Sequence, residues 1–404
     1  MPPESHVQRR GFVAVALSLV ACEAPREPVY DPEPFLGEAF PDRARPLEWP
    51  DGPAGVVTDS LADTLSFVDL TTGELFDQRP VGRNPVDVDG PHHVAIARER
   101  EELFIALSYP VVGAGGPHAG HGESAKPGWV QRISLRDARV LGQVRVDPNP
   151  GDLALSEDGS RLVVSHFDLA KAVAAGDDVS AARANLAVVD VGEIELSGSR
   201  PARRVPACAA PHGMALLGAG ATHAFVACYG EDRLARVDLS GEVAPELFDL
   251  GPGVVFGAPS YGPYAVALSP DASLLVVSNL ISKDLRFFLP AVNEFDLSRT
   301  LKIPGGGAPM FPAFTPDGRE LVVPFQSPDA IVRFDVLTGE VLRARPFEVD
   351  ECQRPHEVEL VGEEIVVVCE GLPDASGRVL RLDPTFTLLS TTEVGRFPDA
   401  IALR

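Results

Sequence analysis

Basic residues are scarce in this chain. Lysine and arginine together number 35 against 58 aspartates and glutamates, a formal net charge of −23 at pH 7. A field of that sign repels nucleic-acid backbones and anionic lipid surfaces, so binding to either through a general basic face is excluded. Solubility, or a cationic ligand such as a metal ion, is what the charge favours. Membrane-spanning runs are missing too: the apolar stretch from Gly11 to Ala21 is too short to cross a bilayer. Recognisable catalytic signatures are absent as well. There is no Gly-x-Ser-x-Gly elbow, no His-Glu-x-x-His, no Gly-Lys-Ser or Gly-Lys-Thr phosphate loop and no Cys-x-x-Cys-His for covalent haem. Gly305-Gly306-Gly307 precedes a strand pattern and not a helix, so it is a connection rather than a dinucleotide loop.

What the chain does have is a repeated phrase. Seven segments open on proline and then alternate apolar and polar residues, at Pro91, Pro150, Pro211, Pro263, Pro309, Pro355 and Pro398. Period-two alternation argues for half-buried strands. Most of these strands run into a turn such as Glu157-Asp158-Gly159-Ser160, Pro270-Asp271-Ala272-Ser273 or Pro316-Asp317-Gly318-Arg319, which is hairpin chemistry. A valine-rich second strand follows, then a third closing on aspartate at Asp69, Asp190, Asp238, Asp335 and Asp383, and then a less regular fourth. With 37 glycines and 38 prolines, the composition suits an all-β protein with many turns. Four antiparallel strands per repeat form a sheet that cannot bury both faces alone and must stack on its neighbours, so the architecture predicted is a seven-bladed β-propeller over residues 54–404. Residues 54–82 lack a first strand and Pro398 to Arg404 is a first strand with no successor. Pairing the two would close the ring in blade one and leave no open edge.

The phrase resembles the YVTN-type propeller repeat of bacterial surface and periplasmic proteins, on Thr315-Pro316-Asp317-Gly318-Arg319-Glu320-Leu321-Val322-Val323 and Asp69-Leu70-Thr71-Thr72-Gly73-Glu74. That resemblance implies the fold and leaves function open, since such propellers include enzymes and scaffolds. The chain departs from the pattern through insertions at about residues 109–128 and 168–183, in blades two and three.

Residues 1–21, with Arg9 and Arg10 ahead of the apolar run, have the layout of a secretory signal. Leu19-Val20-Ala21-Cys22 resembles the lipobox of bacterial lipoproteins, in which the cysteine is lipidated; plain cleavage nearby is the alternative. Arg9-Arg10-Gly11-Phe12-Val13 is somewhat similar to a twin-arginine signal, but two arginines are more often an ordinary positive n-region. Residues 22–53, rich in proline and acidic residues, read as an extended tether.

Four cysteines remain, in a repeated placement. Cys208 and Cys352 each lie three residues before a repeat proline, and Cys228 and Cys369 each end the following second strand. In a blade the first strand starts and the second ends on one rim, so the pairs expected are Cys208 with Cys228 and Cys352 with Cys369, at equivalent positions in blades four and seven. Such pairing implies an oxidising compartment. Four buried free thiols are the alternative.

First strands run the same way around the channel, so the residues after the seven prolines form a ring at one mouth: Asp399, His92, Gly151, His212, Tyr264, Met310 and His356. The blade-two insertion emerges on that face and carries His118 and His121. Imidazole and carboxylate are ligands of zinc and copper. His356, Asp399 and His92, from successive blades, are expected to share an ion, with His212 across the channel and more distant. His93, Asp152 and Glu357 are secondary candidates. The alternative is a polar rim in which histidines bond the adjoining blade, with Tyr264 and Met310 as packing. The function expected is therefore a monomeric, lipid-anchored binding module of the bacterial cell envelope, facing an unidentified protein or small-molecule ligand, with no nucleic-acid partner. A metal-dependent enzyme, lactonase-like or oxidoreductase, is the competing expectation. Three Pro-His pairs loosely resemble a Pro-x-His phrase of lactonase-like propellers, but the arginine between Pro and His is missing.

Overall fold

In the computed structural model the described residues are 45–84, 86–112, 120–198, 201–303 and 305–404. The signal segment, the lipobox Cys22 and His118 lie outside them. Seven antiparallel sheets are arranged as a β-propeller, and in all but blade one the strand order follows the chain from the channel outward. In blade two these strands are Pro91–Ala97, Glu102–Leu107, Pro127–Ser134 and Val140–Pro148. Innermost strands contact one another in succession around the ring. Blade one is closed by the far end of the chain: Pro398–Leu403 pairs antiparallel with Ala54–Asp59, in the register Gly55 to Leu403, Val56 to Ala402 and Val57 to Ile401. Among the described residues no helix is long and apolar enough to cross a membrane.

Period two explains why the blades hold together. Alternate residues of a strand point to opposite faces, and here each face meets a different neighbour. Val56 packs with Leu103, Ile105 and Trp129 of blade two, whereas the adjacent Val57 packs with Val366 and Val368 of blade seven. Val323 and Leu321 face Val276 and Phe287 of blade five, while Val322 between them faces Val358 and Val367 of blade seven. Every apolar cluster among the described residues spans two successive blades. The core is a set of interblade layers, and no blade owns one.

The turn aspartates act as local templates. Asp158, Asp271 and Asp317 each accept hydrogen bonds from a hydroxyl two residues before and a backbone N–H two residues after. The hydroxyls and N–H of Ser160 and Ser156 hold the Asp158 carboxyl down at about 2. The aspartates closing the third strands do the same for the next turn: Asp69, Asp238, Asp335 and Asp383 accept from the N–H of Thr71, Ser240, Thr338 and Thr385. These are Asx turns, in which the side chain substitutes for a missing backbone acceptor.

Blade six departs from the expected continuous first strand. Its innermost segment is broken into Ala308–Pro309 and Ala313–Phe314. Pro312 between them has no N–H to give the ladder, and the freed Phe311 pairs sideways with His356 and Val358 of blade seven (Phe311 N to His356 O, 3.0 Å; Val358 N to Phe311 O, 3.3 Å). The blade-three insertion forms two short helices, Leu169–Ala175 and Val179–Ala182, capped by Asp168 and Asp178.

Both disulfides join the expected cysteines, with S–S distances of 2.04 Å for Cys208–Cys228 and 1.98 Å for Cys352–Cys369. Their placement needs one correction. Cys208 lies on Arg203–Ala209, the outermost strand of blade three, so its bond to Cys228 crosses between blades rather than closing within blade four. The fourth strand of one blade delivers the chain straight to the first strand of the next, which puts a residue three before the proline on the preceding sheet. Cys352 precedes blade seven in the connection from blade six.

Two buried carboxyls, Asp59 at the closure and Asp89 in the connection from blade one to blade two, give the stability a pH slope. Burial raises Asp59 to about 6 against the bonds it accepts from Thr64 and Ser66, and burial likewise raises Asp89 to about 6. Between the unfolded value near 4 and these folded values the native chain holds the extra protons, so stability falls as pH rises through that window. Thermal unfolding is expected at a higher midpoint at pH 5 than at pH 7.5, and Asp59→Asn should flatten the difference. A midpoint that instead rises from pH 5 to pH 7.5 would contradict this account.

Candidate metal site at the histidine mouth

The residue after each repeat proline does arrive at one mouth, because the innermost strands start there together. His92 is 2% exposed, and His212, His356 and Asp399 are fully buried. The two insertions meet over this mouth, Ala170 N donating to Gly122 O at 2.9 Å. Their contact sets His121 over the ring, its imidazole centre 4.7 Å from His92, 5.1 Å from His212 and 4.8 Å from Phe167.

The grouping differs from the one expected. His212 is not too distant: His92, His93 and His212 bring one nitrogen each within 4.8 Å of one another. Strand geometry hid this, since a propeller channel narrows where large rings project inward from facing blades. His356 and Asp399 fall into a separate trio with Glu370, again within 4.8 Å. Asp399 stands between the two, with one oxygen 3.2 Å from His92 Nδ1 and the other 3.8 Å from His356 Nδ1. Among the secondary candidates, His93 and Asp152 face each other (Nδ1 to Oδ1, 3.5 Å). Asp152 and Glu357 also lace neighbouring blades, accepting the N–H of Met214 and of Ile401 at 2.8 and 2.7 Å. Burial and the neighbouring Glu359 push the Glu357 carboxyl well above the usual range, and burial raises Glu359 to about 7. Tyr264 stacks on His212, with ring centres 3.7 Å apart, as packing residues do.

Orientation of the rings bears on chemistry. His212 Nδ1 meets the Tyr264 carbonyl at 3.2 Å and His356 Nδ1 meets the Asp399 carbonyl at 2.8 Å. His92 and His93 turn Nδ1 toward the carboxylates of Asp399 and Asp152. For His212 and His356 the carbonyl acceptor at Nδ1 leaves Nε2 as the acceptor nitrogen, which is how outer groups orient a ligating imidazole. The Nε2 of His93 is buried with no hydrogen-bond partner among the described residues. His166 is a built-in contrast. At the equivalent rim of blade three its Nδ1 meets Asn185 O at 2.6 Å and its Nε2 accepts from Asp147 N at 3.1 Å, so both nitrogens are committed to backbone, and burial lowers its basicity. That residue is structural.

Glu370 was not anticipated from the sequence. A signal existed, because Cys369 ends a second strand at this same rim and the next residue must lie at the mouth.

No family model matches the chain, and no curated protein matches it. Among solved structures it is similar to a putative 6-phosphogluconolactonase of Bacteroides fragilis, at 13% identity over 89% of this chain and 100% of that one, with a TM-score of 0.61. The periplasmic gluconolactonase PpgL of Pseudomonas aeruginosa aligns at 18% identity over 87% and 99%, with a TM-score of 0.60. Apo AztD of Citrobacter koseri aligns at 13% identity over 87% and 97%, with a TM-score of 0.53. Identities this low establish the propeller fold and carry no activity with them.

Proposed function

We propose that this protein is an extracytoplasmic β-propeller that binds a transition-metal ion, of the zinc class, between His92, His93 and His212, with His121 laid over the ion. The observation that carries the reading is the convergence of one nitrogen from each of His92, His93 and His212 within 4.8 Å at a buried mouth. Three imidazoles with one nitrogen each within 4.8 Å of one another supply nitrogen donors, and the four propeller cysteines are spent in disulfides, so the donor set is nitrogen and oxygen without thiolate. Two disulfides fit an oxidising compartment, and the N-terminal signal and lipobox are consistent with an envelope protein. Residues 45–50 join the propeller on the rim opposite the histidines, where Leu47 N donates to Arg136 O and Trp49 Nε1 to Leu135 O.

Zinc titration of the chelator-stripped protein, read against a competing chelator, tests this. Tight binding is expected, and His93→Gln or His212→Gln should weaken it by more than the roughly 10–100-fold typical of an outer-shell change. No bound ion by elemental analysis after loading would overturn the reading. The enzyme alternative draws on the fold likeness to gluconolactonases. Because the mouth residues are buried, gluconolactone hydrolysis by the zinc-loaded protein is expected to stay at the uncatalysed rate; turnover abolished by His212→Gln would favour the enzyme.

A further inference from the structure

We infer that the ion reaches the histidine trio from the opposite rim, along the channel past Glu359, and that Phe311 is the gate between channel and trio. This inference rests on the metal-binding reading above and extends it to the route by which the site is filled.

The two ends of the channel differ. All seven residues that follow the repeat prolines are buried, and His121 and Phe167 lie over them with ring centres 4.8 Å apart. Among the described residues the histidine face is therefore shut. Three residues further along the inner strands the wall opens: the fourth residue after each proline is alanine in blades one to six and Glu359 in blade seven, and all seven are half-buried. Inner strands pack on both neighbouring blades, so this exposure is to the channel. Small side chains repeated at one height leave room along the axis, and one carboxyl stands among them. At the open mouth the hairpin turns carry Asp158, Asp271 and Asp317. An acidic entrance of this kind concentrates cations.

Phe311 separates the open stretch from the trio. Its ring centre lies 5.2 Å from His93 of blade two, 5.9 Å from His212 of blade four, 5.8 Å from Tyr264 of blade five and 5.1 Å from His356 of blade seven. A ring at contact distance from four rings spread around the axis spans the channel and leaves no opening for an ion. Phe311 is itself half-buried, whereas Met310 before it is 4% exposed, so the channel reaches this ring and stops there. The gate sits in the break of the blade-six inner strand, between the pairs Pro309 with Phe325 and Ala313 with Val322. No ladder bond of its own sheet has to part when the ring swings aside.

The test is stopped-flow zinc loading of the chelator-stripped full chain at pH 8, above the value of about 7 to which burial raises Glu359. Release is followed by transfer to excess chelator, and affinity is measured at equilibrium. For a gate whose open state is populated at about 0.1–10%, Phe311→Ala should speed loading and release alike by about tenfold or more and leave the affinity unchanged. Ala267→Phe, which fills the alanine layer, should slow both. Glu359→Gln should slow loading by about tenfold at low salt and much less at high salt. Rates unchanged in both Phe311→Ala and Ala267→Phe, in a protein that still binds zinc, overturn the route and leave the site standing. Weaker affinity in Phe311→Ala without faster loading assigns the ring to packing and overturns the gate. A wild type that binds no zinc removes the underlying reading as well. If Phe311→Ala fails to fold in a thermal melt, Phe311→Leu decides by the same rates: faster loading and release support the gate, and unchanged rates refute it.

Discussion

A chain truncated after Phe397 is expected to have no cooperatively folded state. The seven residues removed include the innermost strand of blade one, Pro398–Leu403. Its ladder to Ala54–Asp59 would be lost, along with the bond from Arg404 N to Ala54 O at 2.8 Å. So would two contacts that reach further: Ala400 N donates to Thr58 Oγ1 at 3.1 Å and Ile401 N donates to Glu357 Oε2 at 2.7 Å, the latter bridging blades one and seven. Ala400 and Ile401 are 2% and 3% exposed and belong to the layers on either side of the blade, so Val56 and Val57 would both lose cover. Counting about five hydrogen bonds near 1 kcal/mol and several buried aliphatic groups at about 1.5–3 kcal/mol each, the loss is on the order of 10 kcal/mol. Whole domains are stable by about 5–15 kcal/mol. The truncated chain should bind hydrophobic dyes, aggregate and show no sharp thermal transition. A graded control is Ile401→Ala, which keeps the strand and should cost about 2–5 kcal/mol. If the truncated protein melts cooperatively within a few degrees of the intact one, ring closure is not what holds the fold.

Removing a disulfide is expected to cost about 3 kcal/mol in the chain-entropy model, for sequence separations of 20 and 17 residues. The two bonds should differ in what their loss does. Cys208–Cys228 ties the outermost strand of blade three to the second strand of blade four, across an interface of apolar packing that Arg183–Glu231 and the Asp152 bond to Met214 N also bridge. Its removal by paired alanine substitution should lower the urea midpoint and also loosen the protection of blade-four amides against hydrogen exchange. Cys352–Cys369 anchors the connection from blade six beside Glu370, so its removal should lower the midpoint similarly and also disturb the His356 trio. All four sulfurs are buried, at 0% or 1% exposure, so mild reductant should leave the native protein oxidised and act once it unfolds. An unchanged urea midpoint in both paired variants would show that the interblade layers alone determine stability.

Much of this molecule was legible in its repeats. Alternation along Pro91–Ala97 and its counterparts gave inner strands, the turn aspartates gave hairpins, and the orphan segments at Ala54 and Pro398 gave the closure, because each of these is a local pattern that backbone geometry converts directly into structure. The broken strand of blade six was also written there, in the Pro309 and Pro312 that bracket Met310 and Phe311, but its sideways pairing with blade seven depends on a neighbour that the strand pattern does not name. The bridge from Cys208 was paired correctly and assigned to the wrong blade, since the residue count before a proline does not say which sheet the preceding segment joins.

The candidate site was legible only as a list of residues at one mouth. Register placed His92, His212, His356 and Asp399 there, for the reason that all first strands begin on one rim. What lies next to what was decided by the closed ring: side-chain reach across a narrow channel brought His212 to His92 and His93, packing between the two insertions brought His121 down, and a second strand ending beside a disulfide delivered Glu370. A one-dimensional period sets which face a residue occupies and at what height, whereas distance across the axis depends on how seven sheets twist and close together.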